Sequence, residues 1–199
     1  MRVKVAIAFM LVLAAGLLLT VNVMSEEKKM TDEEMMAIYM KYAAPGEAHK
    51  ALDPLVGSWD FVTRWWTDPA TPPQESKGIC ESKWILGGRF VQEDVSGDMM
   101  GAPFHGMGLT GHDNYKKQYI SYWFDEMSTC GMMSTGTADA TRKVINFTGS
   151  WDDMATGKVK NFKAITRIIN NDQHVYEMYD FGEDGKEWKS FEVSYTRKK

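Results

Sequence analysis

Leu55-Val56-Gly57-Ser58-Trp59-Asp60-Phe61-Val62-Thr63-Arg64-Trp65-Trp66 is the stretch whose reading decides the fold. Side chains two apart share a face of a strand, so Trp59, Phe61, Thr63 and Trp65 lie together. Asp60, Val62, Arg64 and Trp66 lie opposite. From here to the C-terminus the alternation persists, and turn chemistry interrupts it at Asp68-Pro69 through Pro72-Pro73, Gly87-Gly88, Asp113-Asn114, Thr156-Gly157, Asn170-Asn171-Asp172 and Asp184-Gly185. The pattern predicts ten strands over 56–67, 76–86, 89–97, 104–112, 117–125, 128–137, 143–152, 158–169, 174–181 and 187–197. No long helical segment separates them, which excludes an α/β fold, and every connection is short, so consecutive strands should pair antiparallel. A sandwich and an up-and-down barrel are both compatible with that. The absence of a long crossover and the glycines inside strands (Gly101, Gly106, Gly108, Gly111, Gly131, Gly136) favour the barrel.

Upstream, Thr31 caps a predicted helix whose first turn carries Asp32, Glu33 and Glu34, and Pro45-Gly46 ends it. Residues 26–54 therefore read as a short helical segment ahead of an all-β domain spanning 55–199. Further upstream, Arg2 and Lys4 precede a nearly unbroken apolar run over 5–23. Val23-Met24-Ser25 then resembles a processing site, and Glu26-Glu27-Lys28-Lys29 turns polar. This is the layout of a secretory signal over residues 1–25, which implies a periplasmic or secreted protein with no membrane span after cleavage. The alternative is an uncleaved anchor, since the apolar run is about long enough to cross a bilayer.

Removing Arg2 and Lys4 from 23 basic residues leaves 21 against 27 acidic ones, a mature charge of about −6. Without a basic run there is no electrostatic footprint for nucleic acid. Cys80 and Cys130 are too few for a disulfide scaffold, and both pairing and two buried thiols stay open. Nothing in the sequence fixes an oligomeric state.

Three stretches carry a family likeness. His49-Lys50-Ala51-Leu52 leading into Leu55-Val56-Gly57-Ser58-Trp59 resembles the lipocalin Gly-x-Trp opening of a first barrel strand. Trp84-Ile85-Leu86-Gly87-Gly88-Arg89-Phe90 with Glu93 is the second. The third runs from Gly106 and Gly108 through Gly111-His112-Asp113-Asn114 to Tyr119, Trp123 and Asp125, and Tyr195-Thr196-Arg197 closes the chain. In order and spacing, over about residues 45–197, these resemble the domain of unknown function 1579 family of exported calycin-like, lipocalin-like barrels, for which no activity is established. His112 departs from the tyrosine expected before the Asp-Asn turn. The resemblance implies that Trp59 points inward and that Arg197 stacks on it. It singles out Trp59, Arg89, Glu93, Tyr119, Trp123 and Asp125 as candidate ligand-binding residues on inward faces.

Such an interior is either a pocket with a few placed polar groups or a filled barrel held by an ion pair of Arg89 with Glu93 or Asp125. The leading expectation is an exported barrel that binds a small apolar or amphiphilic molecule such as a fatty acid, with Arg89 anchoring an acidic head group. The alternatives are an enzyme using Glu93 and Asp125 as acid and base, and a filled barrel acting as an interaction module through an outer face that includes Trp66. The four histidines have no metal-ligand spacing, Gly-x-Ser-x-Gly is absent, and no cofactor motif appears. Met99, Met100, Met107, Met127, Met132 and Met133 suit either an adaptable lining or core packing, and adjacent pairs must split between the two faces.

Overall fold

Ten strands follow the alternation, and each pairs antiparallel with its neighbour in sequence: β1 (Gly57–Trp65), β2 (Gln74–Ile85), β3 (Phe90–Met99), β4 (Ala102–Asp113), β5 (Gln118–Asp125), β6 (Met132–Ala138), β7 (Val144–Asp153), β8 (Lys158–Asn170), β9 (Gln173–Phe181) and β10 (Glu187–Arg197). β1 also pairs with β10, so the sheet closes into a barrel without edges. This computed structural model describes residues 29–182 and 184–199, and the expected signal over 1–25 lies outside the described residues. A helix α1 (Asp32–Ala43) precedes the barrel. Its start is a capping box in which the Glu34 amide donates to Thr31 Oγ1 at 3.2 Å and the Thr31 amide donates to Glu34 Oε2 at 2.8 Å. Among the described residues no helix is long and apolar enough to cross a membrane.

The strand boundaries fall within a few residues of the predicted ones except at β6, which begins at Met132 instead of 128. Asp125 and Ser128 account for the difference. Asp125 Oδ1 accepts from the Met127 amide at 3.0 Å, and Ser128 Oγ accepts from the Cys130 amide at 3.2 Å. These local bonds take amides that a longer strand would need for its ladder.

One end of the barrel is plugged. A short helix α2 (Glu47–Lys50) and a 3-10 turn (Asp53–Leu55) carry Leu52 and Leu55, both buried, into a core cluster with Val91, Ile145 and Phe147. Trp84 Nε1 donates to Asp53 Oδ1 at 2.9 Å, and the Tyr119 hydroxyl donates to the Ala48 carbonyl at 3.0 Å. In the turn where His112 replaces the expected tyrosine, His112 Nδ1 lies 3.1 Å from Asn114 Oδ1. The Asn114 amide donates to the carbonyls of Tyr42 and Ala44. The floor of the barrel thus begins ahead of residue 55.

The seam between the first and last strands sits at this same end. Trp59 pairs with Arg197 across β1 and β10, and the indole is fully buried. The guanidinium lies 4.1 Å from its ring centroid. Arg197 also donates to the carbonyls of Val56 at 2.8 Å, Pro54 at 3.0 Å and Asn171 at 2.6 Å, while Trp59 Nε1 donates to the Leu55 carbonyl at 3.0 Å. Gly57 has φ +138°, and any Cβ there would run into Arg197 Nη1. The glycine of the Gly-x-Trp opening is therefore required twice, by its backbone and by the approach of the arginine.

The outer face is tied by charge. Arg64 bonds Glu75 at 2.6 Å and Glu192 at 3.3 Å. Lys189 bonds Glu192 at 2.6 Å and Glu177 at 2.8 Å, and Glu177 bonds Arg167 at 2.9 Å. This chain of ion pairs crosses five strands, and Lys189 also lies 6.0 Å from the outward Trp66 ring. Trp59→Ala is expected to lower unfolding stability by about 3–5 kcal/mol, because it empties core volume as well as the stack. Arg197→Lys, which keeps the charge but loses the planar fork, should cost about 1–3 kcal/mol by leaving carbonyls without donors. Urea denaturation of the two variants against wild type measures both, and an Arg197→Lys midpoint equal to wild type would contradict the role given to the fork.

Candidate functional site

Parity along the strands sends one residue in two into the barrel, and those inward side chains do not fill it. A cavity of about 270 Å³ remains, close to the lower end of the range for small-molecule sites. Its walls include Phe61 on β1, Phe104 on β4, Trp123 on β5 and Phe191 on β10. Met99, Met127 and Met132 line it at the end opposite the plug, where β3 ends, β6 begins and the loop after β5 lies. The methionines that suit either lining or filler thus divide: Met99 and Met132 line the cavity, Met127 lines it from an exposed position at the rim, and Met100 and Met133 are exposed away from it.

The strand glycines are not what leaves the space open. Aromatic rings occupy the space beside several of them: a side chain at Gly106 would collide with Trp123, one at Gly149 with Phe162, and one at Gly78 with Phe61. Glycine here lets an indole or phenyl ring settle against the neighbouring backbone. The open volume lies instead beside short polar side chains, Ser121, Ser134 and Thr110.

Glu93 is the chemical feature of the cavity. On β3 it faces inward with Val91 and Val95, opposite Gly108 of β4, where a Cβ would stand 2.8 Å from Glu93 Oε2. Its carboxylate has no hydrogen-bond or ion-pair partner among the described residues, and removal from bulk water alone pushes its pKa up to about 7. The Tyr176 and Tyr195 phenols belong to the same interior. Burial first, then the Glu93 charge, raises both above the ordinary phenol value. Cys80 on β2 is held as a thiol in the same way, pushed up to about 12. His174 is buried between Trp59, edge-on at 4.4 Å, and Tyr195, stacked at 4.2 Å. Burial and the Arg197 charge push its pKa down to about 3, so it is neutral.

Four buried polar atoms among the described residues have no hydrogen-bond partner: Trp65 Nε1, Trp151 Nε1, His174 Nδ1 and Asp180 Oδ1. All four belong to strand positions that parity places on the inner face. Unsatisfied groups of this kind are rare in a closed core, and they fit an interior that receives water or a ligand.

Of the six residues singled out by sequence, the structure brings Glu93, Trp123 and Asp125 to the cavity. Asp125 is engaged: Oδ2 accepts from Trp123 Nε1 at 2.8 Å and Oδ1 accepts from the Met127 amide. It positions the indole and is not free to act with Glu93 as an acid–base pair. Trp59 and Tyr119 are inward but belong to the floor, one under Arg197 and one bonded to Ala48. Arg89 is not in a strand. It is exposed in the β2–β3 turn at the plugged end, where Nη1 donates to the Leu86 carbonyl at 2.9 Å. The expected anchor for an acidic head group is thus at the wrong end of the barrel, and no Arg89 pair with Glu93 or Asp125 forms. Tyr176, Met178, Phe191 and Tyr195 line the cavity without having been singled out, although alternation in the last two strands places them on inward faces.

Cys80 and Cys130 are unpaired: Cys80 is buried inside the barrel, and Cys130 is exposed in the loop before β6. Among the described residues no three His, Cys, Asp or Glu side chains gather as a metal site would require.

A family model described as Protein of unknown function (DUF1579) matches residues 44–197, and the chain belongs to that family. The crystal structure of Rv2717c from M. tuberculosis is similar, with a TM-score of 0.56 at 18% identity over 78% of this chain and 100% of that one. The structure of EF1p2_mFAP2b bound to DFHBI matches at TM-score 0.42 and 11% identity, over 76% of this chain and 100% of that one. A redesigned beta barrel, b11L5F_LGL, matches at TM-score 0.38 and 13% identity, over 75% and 96%. At these identities the first likeness speaks for the barrel fold alone. No curated protein matches the chain.

The raised Glu93 value has a thermodynamic consequence. Between the ordinary carboxyl pKa and about 7, the folded chain holds a proton at Glu93 that the unfolded chain has released. Stability therefore falls as pH rises through that window, and above it the ionised group costs about 3 kcal/mol. Glu93→Gln is expected to be more stable than wild type at pH 8 by about 1–3 kcal/mol and no more stable at pH 4.5. Thermal or urea unfolding across pH 4.5–8 reads the difference, and a gap that does not change with pH would refute the desolvated carboxyl.

Proposed function

We propose that this DUF1579 chain is an exported protein that binds a small, largely apolar molecule inside its barrel. The observation that carries the reading is a cavity of about 270 Å³ walled by aromatic rings and methionines and holding a carboxylate without a partner among the described residues. A barrel built only as a scaffold gains nothing from a desolvated, unpaired acid or from unfilled volume, since each lowers stability. A bound molecule offsets both by filling the space and meeting the charge. The methionine lining suits this role, because the unbranched thioether adapts to ligands of differing shape.

Export rests on the N-terminal sequence: the basic pair Arg2 and Lys4, the apolar run, and the small-residue boundary at Ser25. Binding in a periplasmic or extracellular space fits a protein whose mature form carries no apolar span.

Two outcomes are expected. A small uncharged aromatic alcohol should quench tryptophan fluorescence saturably. Trp123→Phe should keep the affinity and lose much of the quench, while Ser121→Phe, which pushes a ring into the cavity, should weaken binding by at least about tenfold. Equal affinity in Ser121→Phe would place the ligand outside the barrel. For export, mass spectrometry of the protein recovered from the periplasm or medium should find a chain beginning near Glu26. An intact Met1 in the membrane fraction would instead establish the anchored form.

A further inference from the structure

The charges around the cavity are one-sided. Glu93, Asp98 and Asp125 line it, whereas no lysine or arginine does among the described residues. The cations nearest the interior are committed elsewhere. Arg197 is committed to the Trp59 ring and to three carbonyls, and Lys160 bonds Asp153 at 2.6 Å and lies 5.3 Å from the Trp151 ring. Lys189 and Arg167 are tied to Glu177 on the outer face. The one basic side chain in the lining, His174, is neutral. A carboxylate ligand would place a second negative charge beside Glu93 in a poorly hydrated space with nothing to balance either.

The walls point the same way. Phe61, Phe104, Trp123, Tyr176 and Phe191 bring aromatic side chains to the cavity, and ring faces carry the negative end of the quadrupole. Aromatic walls around an unpaired carboxylate make a site for an organic cation, which gains from both. We infer that the ligand of this barrel is a lipophilic amine, its ammonium group meeting Glu93 and its hydrocarbon part lying among these rings. This rests on the reading that the barrel binds a small molecule, and it replaces the acidic ligand that the sequence led us to expect.

Protonation of Glu93 competes with the amine, so uptake should weaken in acid. Of the groups that face the interior with it, Cys80 from β2, Tyr176 from β9 and Tyr195 from β10 are held protonated through neutral pH, Asp98 of β3 accepts from the Gly101 amide at 2.8 Å, and Asp180 from β9 has a buried oxygen without a hydrogen-bond partner among the described residues. His174 from β9 is held neutral. Asp125 from β5 is bonded to Trp123, and Gly108 of β4, directly opposite, carries no side chain. With an amine that stays charged throughout, affinity is expected to fall roughly tenfold per pH unit below about 7.

The test compares three ligands of one shape, 3-phenylpropylamine, 3-phenylpropanol and 3-phenylpropionate, by calorimetry and tryptophan fluorescence on the full mature chain at pH 8. The expected order is amine, then alcohol, then carboxylate. Glu93→Gln should cut amine affinity at least about 30-fold and alcohol affinity no more than about threefold. Glu93→Gln should also flatten the amine's dependence on pH, a readout that a loss of fold would not mimic, and its stability relative to wild type serves as the check on folding. Saturable binding with the alcohol or the carboxylate equal to or ahead of the amine overturns the cation assignment and leaves the binding reading standing. An amine affinity unchanged in Glu93→Gln overturns the assignment in the same way. No saturable binding of any of the three removes the binding reading and the cation assignment with it.

Discussion

The barrel depends on one contact, the Arg197 guanidinium laid on the Trp59 indole where the last strand meets the first. All other strand pairs join neighbours in sequence through short turns, so their closure entropy is small. The β1–β10 pair joins residues more than a hundred apart, and it converts a sheet with two edges into one with none. A stack alone would hold such a seam weakly. The same guanidinium also donates to the carbonyls of Pro54, Val56 and Asn171, which come from the plug, the entry to β1 and the turn before β9. Planar geometry lets one side chain do this, and Gly57 leaves room for it.

Because the seam sits at the plugged end, it also bears on where the cavity lies. His174 meets Trp59 edge-on and stacks on Tyr195 to form a floor to the cavity, and Leu52 and Leu55 lie in the plug. The cavity runs from Leu55 at the plug toward the other end, where β3 ends, β6 begins and Met99, Met127 and Met132 line the space. A tightly closed end and a loosely filled one are consequences of the same closure.

Strand number, order and approximate limits were legible in the sequence because alternation and turn chemistry are local. The late start of β6 was not, since it turns on Asp125 and Ser128 side chains capturing backbone amides. The candidate site was legible by face but not by height. Parity correctly sent Glu93, Trp123 and Asp125 inward. It could not say that Arg89, which shares their parity, falls in the β2–β3 turn at the plugged end. Height along a barrel axis is fixed by register between strands and by which end is sealed, and both are long-range properties. The rings from adjacent strands that occupy the space beside the strand glycines were not legible for a related reason, since those contacts are set by register.

Arg89 and Glu93 together show why the sign of the interior changes once height is known. Read along β3 they form a balanced pair, and a balanced interior is compatible with a filled barrel. Placed at opposite depths, they leave Glu93 without a cation among aromatic rings and buried phenols. Its raised pKa is then a cost of about 3 kcal/mol at pH 8, a large share of the stability of an ordinary domain. The chain could remove that cost by changing one carboxyl to an amide, or offset it by placing an arginine on any of several facing strands. It does neither, while on the outer face it pairs Glu177 with two cations. A protein that gives Glu177 two cations on its outer face leaves Glu93 without one inside the barrel, and a departure of this kind from local consistency is where function is expected to reside.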